Sequence, residues 1–316
     1  MRVVIAGGAG FLGSHLADAL VARGDEVVLI DDLSSGTMEN ITPLIERGHL
    51  FLEADISAPF EVPGQVDAVL NMASPASPPA YLAHPLETLA VGSEGTRRLL
   101  DLADEHGARF LLASTSEIYG EPLVHPQPES YWGNVNSVGP RSVYDEAKRF
   151  AEALTMAHHR TKGTNVAIVR IFNTYGPRLA AGDGRVVSNF IVQALAGDPL
   201  TIYGDGSQTR SLCYVDDEVR GLLALLDSEL VGPVNIGNPD ERTILDLARA
   251  VLEVTGSSSP LVFNPLPTDD PTRRCPDITL ATTALGWRPS ISLEEGLAHS
   301  VEYFASLSRA EENGGG

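Results

Sequence analysis

The segment Gly7-Gly8-Ala9-Gly10-Phe11-Leu12-Gly13 stands between a short apolar run, Arg2–Ala6, and a helical pattern. Glycines permit a tight turn and let a pyrophosphate approach backbone N–H groups at the positive end of the following helix. Asp31 ends a second apolar run about 20 residues further on, where a carboxylate accepts hydrogen bonds from ribose hydroxyls. The pattern therefore predicts a dinucleotide site whose turn contacts are Gly7, Gly10, Phe11, Leu12 and Gly13.

The acidic residues around this turn bear on the choice of cofactor. A carboxylate at Asp31 favours NAD, because it repels the additional phosphate of NADP. Asp32 is an alternative for the same role, and the sequence alone does not separate the two. Asp55 and Ile56 follow the third apolar run, where we expect them near the adenine, although Asp55 suits a helix N-cap equally well. Ala73, after the fourth run, completes the predicted cofactor contacts.

Short apolar runs rich in Val, Ile and Leu alternate with longer helical patterns in the first half of the chain. Such runs are typical of a parallel sheet that is buried on both faces and joined by right-handed crossovers. The predicted fold is a doubly wound α/β (Rossmann) sheet followed by a smaller mixed α/β domain. The runs are Arg2–Ala6, Glu26–Asp31, His49–Ala54, Ala68–Ala73, Arg109–Ser114 and Val166–Phe172.

Segments that contain Gly and Pro follow Phe172 and break this rhythm. Helical patterns in this part cover Arg185–Ala196, Asp216–Ser228, Thr243–Thr255 and Leu293–Leu307. We predict a cofactor domain over 1–173 with a return segment at about 212–240, a substrate domain over 174–211 and 241–308, and a flexible tail over 309–316.

The composition excludes several kinds of partner. Lys and Arg number 22 against 42 Asp and Glu, and the formal charge of -20 repels both nucleic acid and an anionic membrane surface. No window approaches the roughly 18 apolar residues of a membrane span, and no charged-then-apolar signal segment begins the chain. Two cysteines, Cys213 and Cys275, suit a reducing compartment. We therefore expect a cytoplasmic protein.

Tyr144 and Lys148 are four residues apart in a helical pattern that runs to about His159, so they share one helix face. A phenol with an ordinary pKa near 10 is a poor base at neutral pH, but a nearby ammonium and a positive nicotinamide both favour the phenolate. Tyr144 is thus predicted to take a proton from a substrate hydroxyl while hydride leaves for NAD. An isolated Tyr-x-x-x-Lys is more often only a solvated helix face.

Hydroxyl groups and a carboxylate follow the run Arg109–Ser114, at the end of a predicted parallel strand, where side chains point to the ligand crevice. Thr115 is predicted to orient the hydroxyl being oxidised toward Tyr144. Ser/Thr clusters at strand ends often only cap the backbone. Glu117 is not required for simple alcohol oxidation and indicates that the site performs a further step.

By these and other motifs the chain resembles the UDP-glucuronate decarboxylases, also called UDP-xylose synthases, of the extended short-chain dehydrogenase/reductase type. The resemblance covers nearly the whole chain. Two departures are Ala6, where Thr is common, and Cys275, where Lys is expected. The matching motifs are ASPASPP (73–79), TSE (115–117), YWGNVN (131–136) before GPR (139–141), RIFNTYGPR (170–178), DGRVVSNF (183–190), YGDGSQTR (203–210) and RCPD (274–277).

The resemblance implies roles for individual residues. Ser116, Glu117 and Asn173 would contact the substrate, and Arg185, Gln208 and Arg210 would bind the nucleotide and its diphosphate, a task that suits the fixed donor fork of arginine. Arg274 would meet the sugar carboxylate. The resemblance also implies a homodimer, in which the helices over Leu86–Glu105 and Tyr144–His159 form the interface. No metal ligand is assigned.

The implied reaction oxidises carbon 4 of UDP-glucuronate, releases carbon dioxide from the β-keto acid, and returns the hydride to give UDP-xylose, so that NAD is recycled within the cycle. Three enzymatic alternatives stay open: a synthase that stops at the 4-keto pentose and releases NADH, a 4-epimerase, and a 4,6-dehydratase. From another class, a non-catalytic NAD-binding regulator would share the fold, although Thr115, Tyr144 and Lys148 argue against it.

Overall fold

Seven parallel strands form the central sheet of the computed structural model, which describes residues 1–266 and 272–314. The strands of the protein are β1 (Arg2–Ala6), β2 (Glu26–Asp31), β3 (Leu50–Glu53), β4 (Ala68–Asn71), β5 (Arg109–Thr115), β6 (Val166–Ile171), β7 (Thr174–Tyr175), β8 (Leu200–Tyr203), β9 (Thr209–Ser211), β10 (Cys213–Tyr214), β11 (Val234–Ile236), β12 (Glu241–Thr243) and β13 (Leu261–Asn264).

The order in the large sheet is β11-β6-β5-β4-β1-β2-β3, so the chain reverses its direction of travel at β1 and β4. The inner strands are fully buried on both faces, as their unbroken Val, Ile and Leu runs predicted. Ligands of such sheets bind at the carboxyl ends of the strands on either side of the reversal. The predicted Rossmann fold is confirmed.

Helices connect the strands and cover both faces of the sheet. They are α1 (Phe11–Ala22), α2 (Thr42–Glu46), α3 (Pro78–Ala83), α4 (Pro85–Ala90), α5 (Thr96–His106), α6 (Ser142–Lys162), α7 (Val186–Ala196), α8 (Val215–Leu226), α9 (Ile244–Thr255), α10 (Thr279–Leu285) and α11 (Leu293–Gly314). None of these described helices is both long enough and apolar enough to cross a membrane.

The predicted helix over Leu86–Glu105 consists of α4, a π-helical segment Val91–Gly95, and α5. Gly92 in that segment faces α6, and a Cβ atom at this position would lie 2.7 Å from the Cβ of Ala147. Only a glycine therefore allows the two helical segments to approach this closely. The contact fixes the position of α6, which carries Tyr144 and Lys148.

Small two-stranded sheets follow β6, pairing β7 with β10, β9 with β12 and β8 with β13. β11 returns to the large sheet and pairs with β6, and it falls inside the return segment predicted at about 212–240. α11 reaches Gly314, so it extends into the predicted tail, whose last two residues lie outside the described ones. The domain boundaries themselves stay a prediction.

Candidate active site

The loop after β5 brings Thr115, Ser116 and Glu117 to the carboxyl edge of the sheet, where all three are largely buried. Thr115 Oγ1 accepts a hydrogen bond of 3.2 Å from the Glu117 N–H, which begins a short 3₁₀ turn, Ser116–Tyr119. Capping of this kind was the alternative explanation for the cluster. A hydrogen bond also links the Thr115 side chain to the Tyr144 phenol. Thr115 can therefore cap the turn and still orient a hydroxyl toward Tyr144, as the sequence predicts.

Tyr144 and Lys148 lie in the first two turns of α6 and are both buried. Lys148 Nζ donates a 2.9 Å hydrogen bond to the Ala113 carbonyl oxygen and lies 5.9 Å from the centroid of the Tyr144 ring. Burial raises the pKa of Tyr144 to about 12 and lowers the pKa of Lys148 to about 8. In the protein alone the phenol is therefore neutral, because the cost of burying a phenolate outweighs the stabilisation that the sequence argument assigned to Lys148.

Tyr81 of α3 packs its ring on Tyr144, with the ring centroids 5.2 Å apart and the planes only 8° from parallel. Its hydroxyl is buried and has no hydrogen-bond partner among the described residues. Burial raises the pKa of Tyr81 as well. This stacking restricts the orientation of the Tyr144 ring, and the sequence did not predict Tyr81 as a site residue.

Glu117 lies between two arginines. Its Oε2 accepts hydrogen bonds of 2.7 Å from Arg141 and 3.3 Å from Arg274. Although burial opposes ionisation, the charges of Arg274 and Arg141 outweigh it and lower the pKa of Glu117 to about 2. Arg274 is only 1% exposed and also donates a 2.6 Å hydrogen bond to the Gly120 carbonyl oxygen. The carboxylate is thus firmly ionised and orients both cations.

Asp145 adds a second carboxyl group to this cluster. It follows Tyr144 on α6, is 6% exposed, and has one carboxyl oxygen, Oδ1, that is buried without a hydrogen-bond partner in the described chain. Burial and, to a smaller extent, the charge of Glu117 raise its pKa to about 7, although the charges of Arg141 and Arg274 act in the opposite direction. One carboxyl group of the cluster is therefore permanently ionised, whereas the other titrates near neutral pH.

The glycine turn joins β1 to α1 at the same edge of the sheet. Gly7 has a φ of +77°, and a Cβ at Gly13 would lie 2.0 Å from the Gly7 carbonyl oxygen, so the turn tolerates no side chain there. No side chain caps the first N–H groups of α1. The turn therefore leaves an uncapped helix N-terminus of the kind that binds a pyrophosphate, and it fits a dinucleotide.

Asp31 is buried beside the turn, where its carboxylate accepts hydrogen bonds of 2.9 Å from the N–H groups of Ala9 and Leu33. Asp32 is exposed and instead binds the backbone and hydroxyl of Ser34. The two acids that the sequence could not separate thus differ in position. Only Asp31 contacts the glycine turn.

The remaining predicted cofactor residues lie after β3 and β4. Asp55 accepts a 2.8 Å hydrogen bond from the backbone N–H of Ser57 in a turn. No helix begins in the described segment between β3 and β4, so the alternative of a helix N-cap is wrong. Ile56 is 3% exposed and packs against Gly95. Ala73 lies against Gly7, since a Cβ at Gly7 would be 2.8 Å from its backbone.

The predicted substrate residues come from segments after β6. Arg185 precedes α7 and forms an ion pair with Asp183. Gln208 donates a 2.7 Å hydrogen bond to the Tyr203 carbonyl oxygen, while its Oε1 is buried without a partner among the described residues. The Asn173 carbonyl oxygen accepts from the Cys213 N–H, and no hydrogen bond of its side chain appears in the described structure.

β9 connects this region to Glu117. Arg210 lies in the middle of β9, and the strand runs beside residues 272–274 through hydrogen bonds of 3.1 Å to the carbonyl oxygens of Thr272 and Arg274. The Arg274 side chain then reaches Glu117 and Gly120. The structure therefore places β9, which carries Arg210, beside the irregular segment that carries Arg274.

Two site residues beyond Tyr81 escaped the sequence argument. Arg141 ends the GPR motif and Asp145 directly follows Tyr144, but the sequence predicted no role for either residue. Their position within one helical turn of Tyr144 was a signal that could have drawn attention to them.

A Rossmann sheet that carries a glycine turn with a Thr, Tyr and Lys group defines an NAD-binding enzyme of the extended short-chain dehydrogenase type. The chain belongs to the NAD dependent epimerase/dehydratase family, whose model matches residues 3–237. Among curated proteins, UDP-glucuronic acid decarboxylase 1 of Arabidopsis thaliana is 50% identical over 100% of this chain and 72% of the relative. UDP-glucuronic acid decarboxylase 1 of Danio rerio is 49% identical over 96% of this chain and 72% of the relative.

Solved structures agree with this assignment. UDP-glucose 4-epimerase of Thermotoga maritima, solved with UDP-glucose, has a TM-score of 0.87 and 32% identity, covering 98% of this chain and 100% of that one. UDP-glucuronic acid 4-epimerase of Bacillus cereus, solved with UDP-glucuronic acid and NAD, has a TM-score of 0.87 and 28% identity, covering 97% of this chain and 100% of that one. The resemblance to the decarboxylases and the prediction of NAD as cofactor are confirmed.

Proposed function

We propose that this protein decarboxylates UDP-glucuronate to UDP-xylose, with NAD reduced and reoxidised in one cycle. The observation that carries the proposal is the Glu117, Arg141 and Arg274 cluster at the strand end that holds Thr115 and Tyr144. An alcohol dehydrogenase needs no such cluster. A substrate with a carboxylate beside the oxidised carbon does, because fixed arginine side chains can bind that carboxylate. The names of the curated relatives support the same reaction.

NAD supplies the hydride acceptor and donor at carbon 4 when it is bound. In the proposal the N–H groups from Gly10 to Gly13 bind its pyrophosphate and Asp31 binds its adenosine ribose. Lys148 binds the other ribose, beside Tyr144. Asp55, Ile56 and Ala73 lie on the adenine side of the cofactor. Asp32 does not contact the cofactor in this proposal, because it is exposed and its carboxylate accepts a hydrogen bond from Ser34.

Oxidation begins when Tyr144 removes the proton from the carbon 4 hydroxyl, which Thr115 orients. Because burial raises the pKa of Tyr144 to about 12, a positive charge must lower it before the proton moves. Lys148 is one cation near the ring, with its Nζ 5.9 Å from the ring centroid. Tyr81 keeps the ring in position by stacking.

Carbon dioxide leaves once carbon 4 is a ketone, because the electron pair left on carbon 5 is delocalised onto the ketone oxygen. Thr115 and Tyr144 donate hydrogen bonds to that oxygen. Arg274 holds the departing carboxylate out of the plane of the ketone, and Glu117 holds Arg274. Reprotonation of carbon 5 and return of the hydride complete the cycle.

The UDP group is proposed to bind between the cofactor domain (1–173) and the substrate domain (174–211 and 241–308). Arg185, Gln208 and Arg210 bind the nucleotide and its diphosphate, and Asn173 and Ser116 contact the sugar side. Two features support these assignments: the buried Gln208 Oε1 has no partner among the described residues, and the positive charge of Arg185 reaches Tyr144, where it helps to lower the pKa of the phenol.

Incubation with UDP-glucuronate followed by mass analysis tests the proposal. UDP-xylose with no accumulated NADH supports it. A UDP-4-keto pentose with stoichiometric NADH would identify the truncated synthase, and a product of unchanged mass would identify the 4-epimerase. A 4,6-dehydratase would act on a UDP-hexose, and no turnover of any UDP-sugar would favour the NAD-binding regulator.

NAD is expected to support turnover and NADP is not, because the buried carboxylate of Asp31 meets the position of the additional phosphate. The measurement is kcat/KM with each cofactor added to protein freed of nucleotide. Asp31→Asn should reduce the difference in kcat/KM between NAD and NADP. Asp32→Asn is the matched control and should leave that difference unchanged. Equal turnover of the original protein with both cofactors would remove the assignment of Asp31.

A homodimer is part of the proposal, since α3, α4 and α6 each leave large apolar side chains exposed. Leu86 on α4 is 75% exposed and Phe150 on α6 is 51% exposed, and Leu82 on α3 and Leu89 on α4 are exposed as well. Sedimentation equilibrium at micromolar concentration should give the dimer mass, and Phe150→Asp should give the monomer mass. Phe263→Asp, at an equally exposed phenylalanine on β13, should stay dimeric. A monomeric mass for the unchanged protein would contradict the proposal.

We also place the enzyme in the cytoplasm, in agreement with two cysteines that are both free thiols.

A further inference from the structure

The proposed reaction consumes one proton, and its source is not among the groups assigned so far. When the substrate carboxylate leaves as carbon dioxide, carbon 5 must gain a hydrogen in its place. The proton that Tyr144 removes from the carbon 4 hydroxyl returns to the same oxygen when the hydride returns. Each cycle therefore needs an additional acid beside the sugar.

Glu117 does not fit this task. Its carboxylate accepts hydrogen bonds from two arginine side chains at 2.7 and 3.3 Å, one of them fully buried, and this geometry stabilises the ionised form. A carboxylate held in this way carries no proton at neutral pH. Lys148 is also committed, because its ammonium donates to the Ala113 carbonyl oxygen.

Asp145 has the opposite environment within the same cluster. It lies next to Tyr144 in the first turn of α6, and its Oδ1 is buried with no donor to satisfy it among the described residues. A buried carboxyl oxygen without a donor favours the protonated form. Its neighbour on the helix, Glu146, is partly exposed and pairs with Arg149 instead.

The groups around Asp145 come from several elements. Tyr144 and Glu146 belong to α6, and Arg141 directly precedes that helix. Glu117 comes from the 3₁₀ turn after β5, Tyr81 from α3, and Arg274 from the segment before α10. Burial and the two other carboxylates oppose ionisation of Asp145, whereas the two arginines favour it. Since Glu117 already pairs with both arginines, Asp145 keeps a pKa of about 7.

We propose that Asp145 supplies the proton that carbon 5 gains after carbon dioxide leaves, an inference that rests on the function proposed above. The O–H bond of Asp145 breaks as the electron pair of the enolate forms the C–H bond at carbon 5, and the ketone at carbon 4 is restored. Asp145 is left as a carboxylate and takes a proton from solvent before the next cycle. Hydride return follows this step, because it needs the ketone.

Single-turnover experiments with enzyme in excess over carboxyl-labelled UDP-glucuronate test the proposal. In Asp145→Asn, NADH should form and labelled carbon dioxide should leave within about threefold of the unchanged rates, whereas NADH reoxidation should slow by about 10²-fold. In the unchanged protein, reoxidation should slow as the pH rises through about 7, because the acid form of Asp145 is lost. That dependence should disappear in the variant.

Glu146→Gln is the matched control, since it removes the adjacent carboxylate on the same helix. It should reoxidise NADH at the unchanged rate below pH 7 and keep the pH dependence, with the midpoint moved slightly to lower pH because the charge of Glu146 helps to raise the pKa of Asp145. Two results would overturn the role of Asp145: unchanged reoxidation in Asp145→Asn, or equal slowing of all three signals, which would indicate a structural role. Absence of both NADH and carbon dioxide in the unchanged protein would instead overturn the proposed function.

Discussion

Tyr144→Phe is expected to abolish both NADH formation and carbon dioxide release from UDP-glucuronate. In the proposed mechanism the phenol removes the carbon 4 proton, and without oxidation at carbon 4 the carboxylate is not β to a ketone. Loss of a general base typically costs about 10²–10⁴-fold in rate. Because Tyr144 is buried and stacked on Tyr81, phenylalanine preserves the packing and isolates the effect of the hydroxyl. In single-turnover experiments, absorbance measures the NADH that forms and the carboxyl label measures the carbon dioxide that is released.

Tyr303→Phe provides the control, since it removes a half-buried hydroxyl on α11 and should leave both signals unchanged. Thermal unfolding of both variants checks that the fold is kept. Carbon dioxide release from Tyr144→Phe at the unchanged rate would show that another group performs the oxidation.

Glu117→Gln is expected to slow carbon dioxide release by about 10²-fold while first-turnover NADH formation falls much less. The carboxylate orients Arg141 and Arg274, and the proposed role of Arg274 is to hold the sugar carboxylate out of the ketone plane. The groups proposed to support hydride transfer, Thr115 and Tyr144, are not changed by the substitution. Arg274→Ala should weaken substrate binding as well, because it removes a charged partner of the sugar.

The free energy of unfolding of each variant should be measured together with these rates. Breaking a buried ion pair costs up to about 3–5 kcal/mol, although glutamine keeps a hydrogen-bond acceptor for the arginines. Glu152→Gln is a suitable control, since it breaks the pair with Arg170 and should lower stability without changing the ratio of the two rates. Equal slowing of NADH and carbon dioxide in Glu117→Gln would show that Glu117 only orders the strand end.

The sequence by itself determined the sheet, the glycine turn and the reacting pair. β1 and β2 have the predicted bounds, and α6 places Tyr144 and Lys148 on one face. Glycine spacing and helical periodicity encode the turn and α6 locally, and the apolar runs mark the strands that the fold buries on both faces, although the strands then pair over long distances in the chain.

The charge state of the site was decided only by the tertiary structure. Arg274 reaches Glu117 across 157 positions of sequence, and Tyr81 arrives on a separate helix. Burial raises the pKa of Tyr144 and Asp145, while two arginines lower that of Glu117. Such shifts depend on desolvation and on charges from distant segments, which sequence spacing does not specify. The sequence therefore predicted several of the candidate site residues, whereas their protonation states depend on the folded chain.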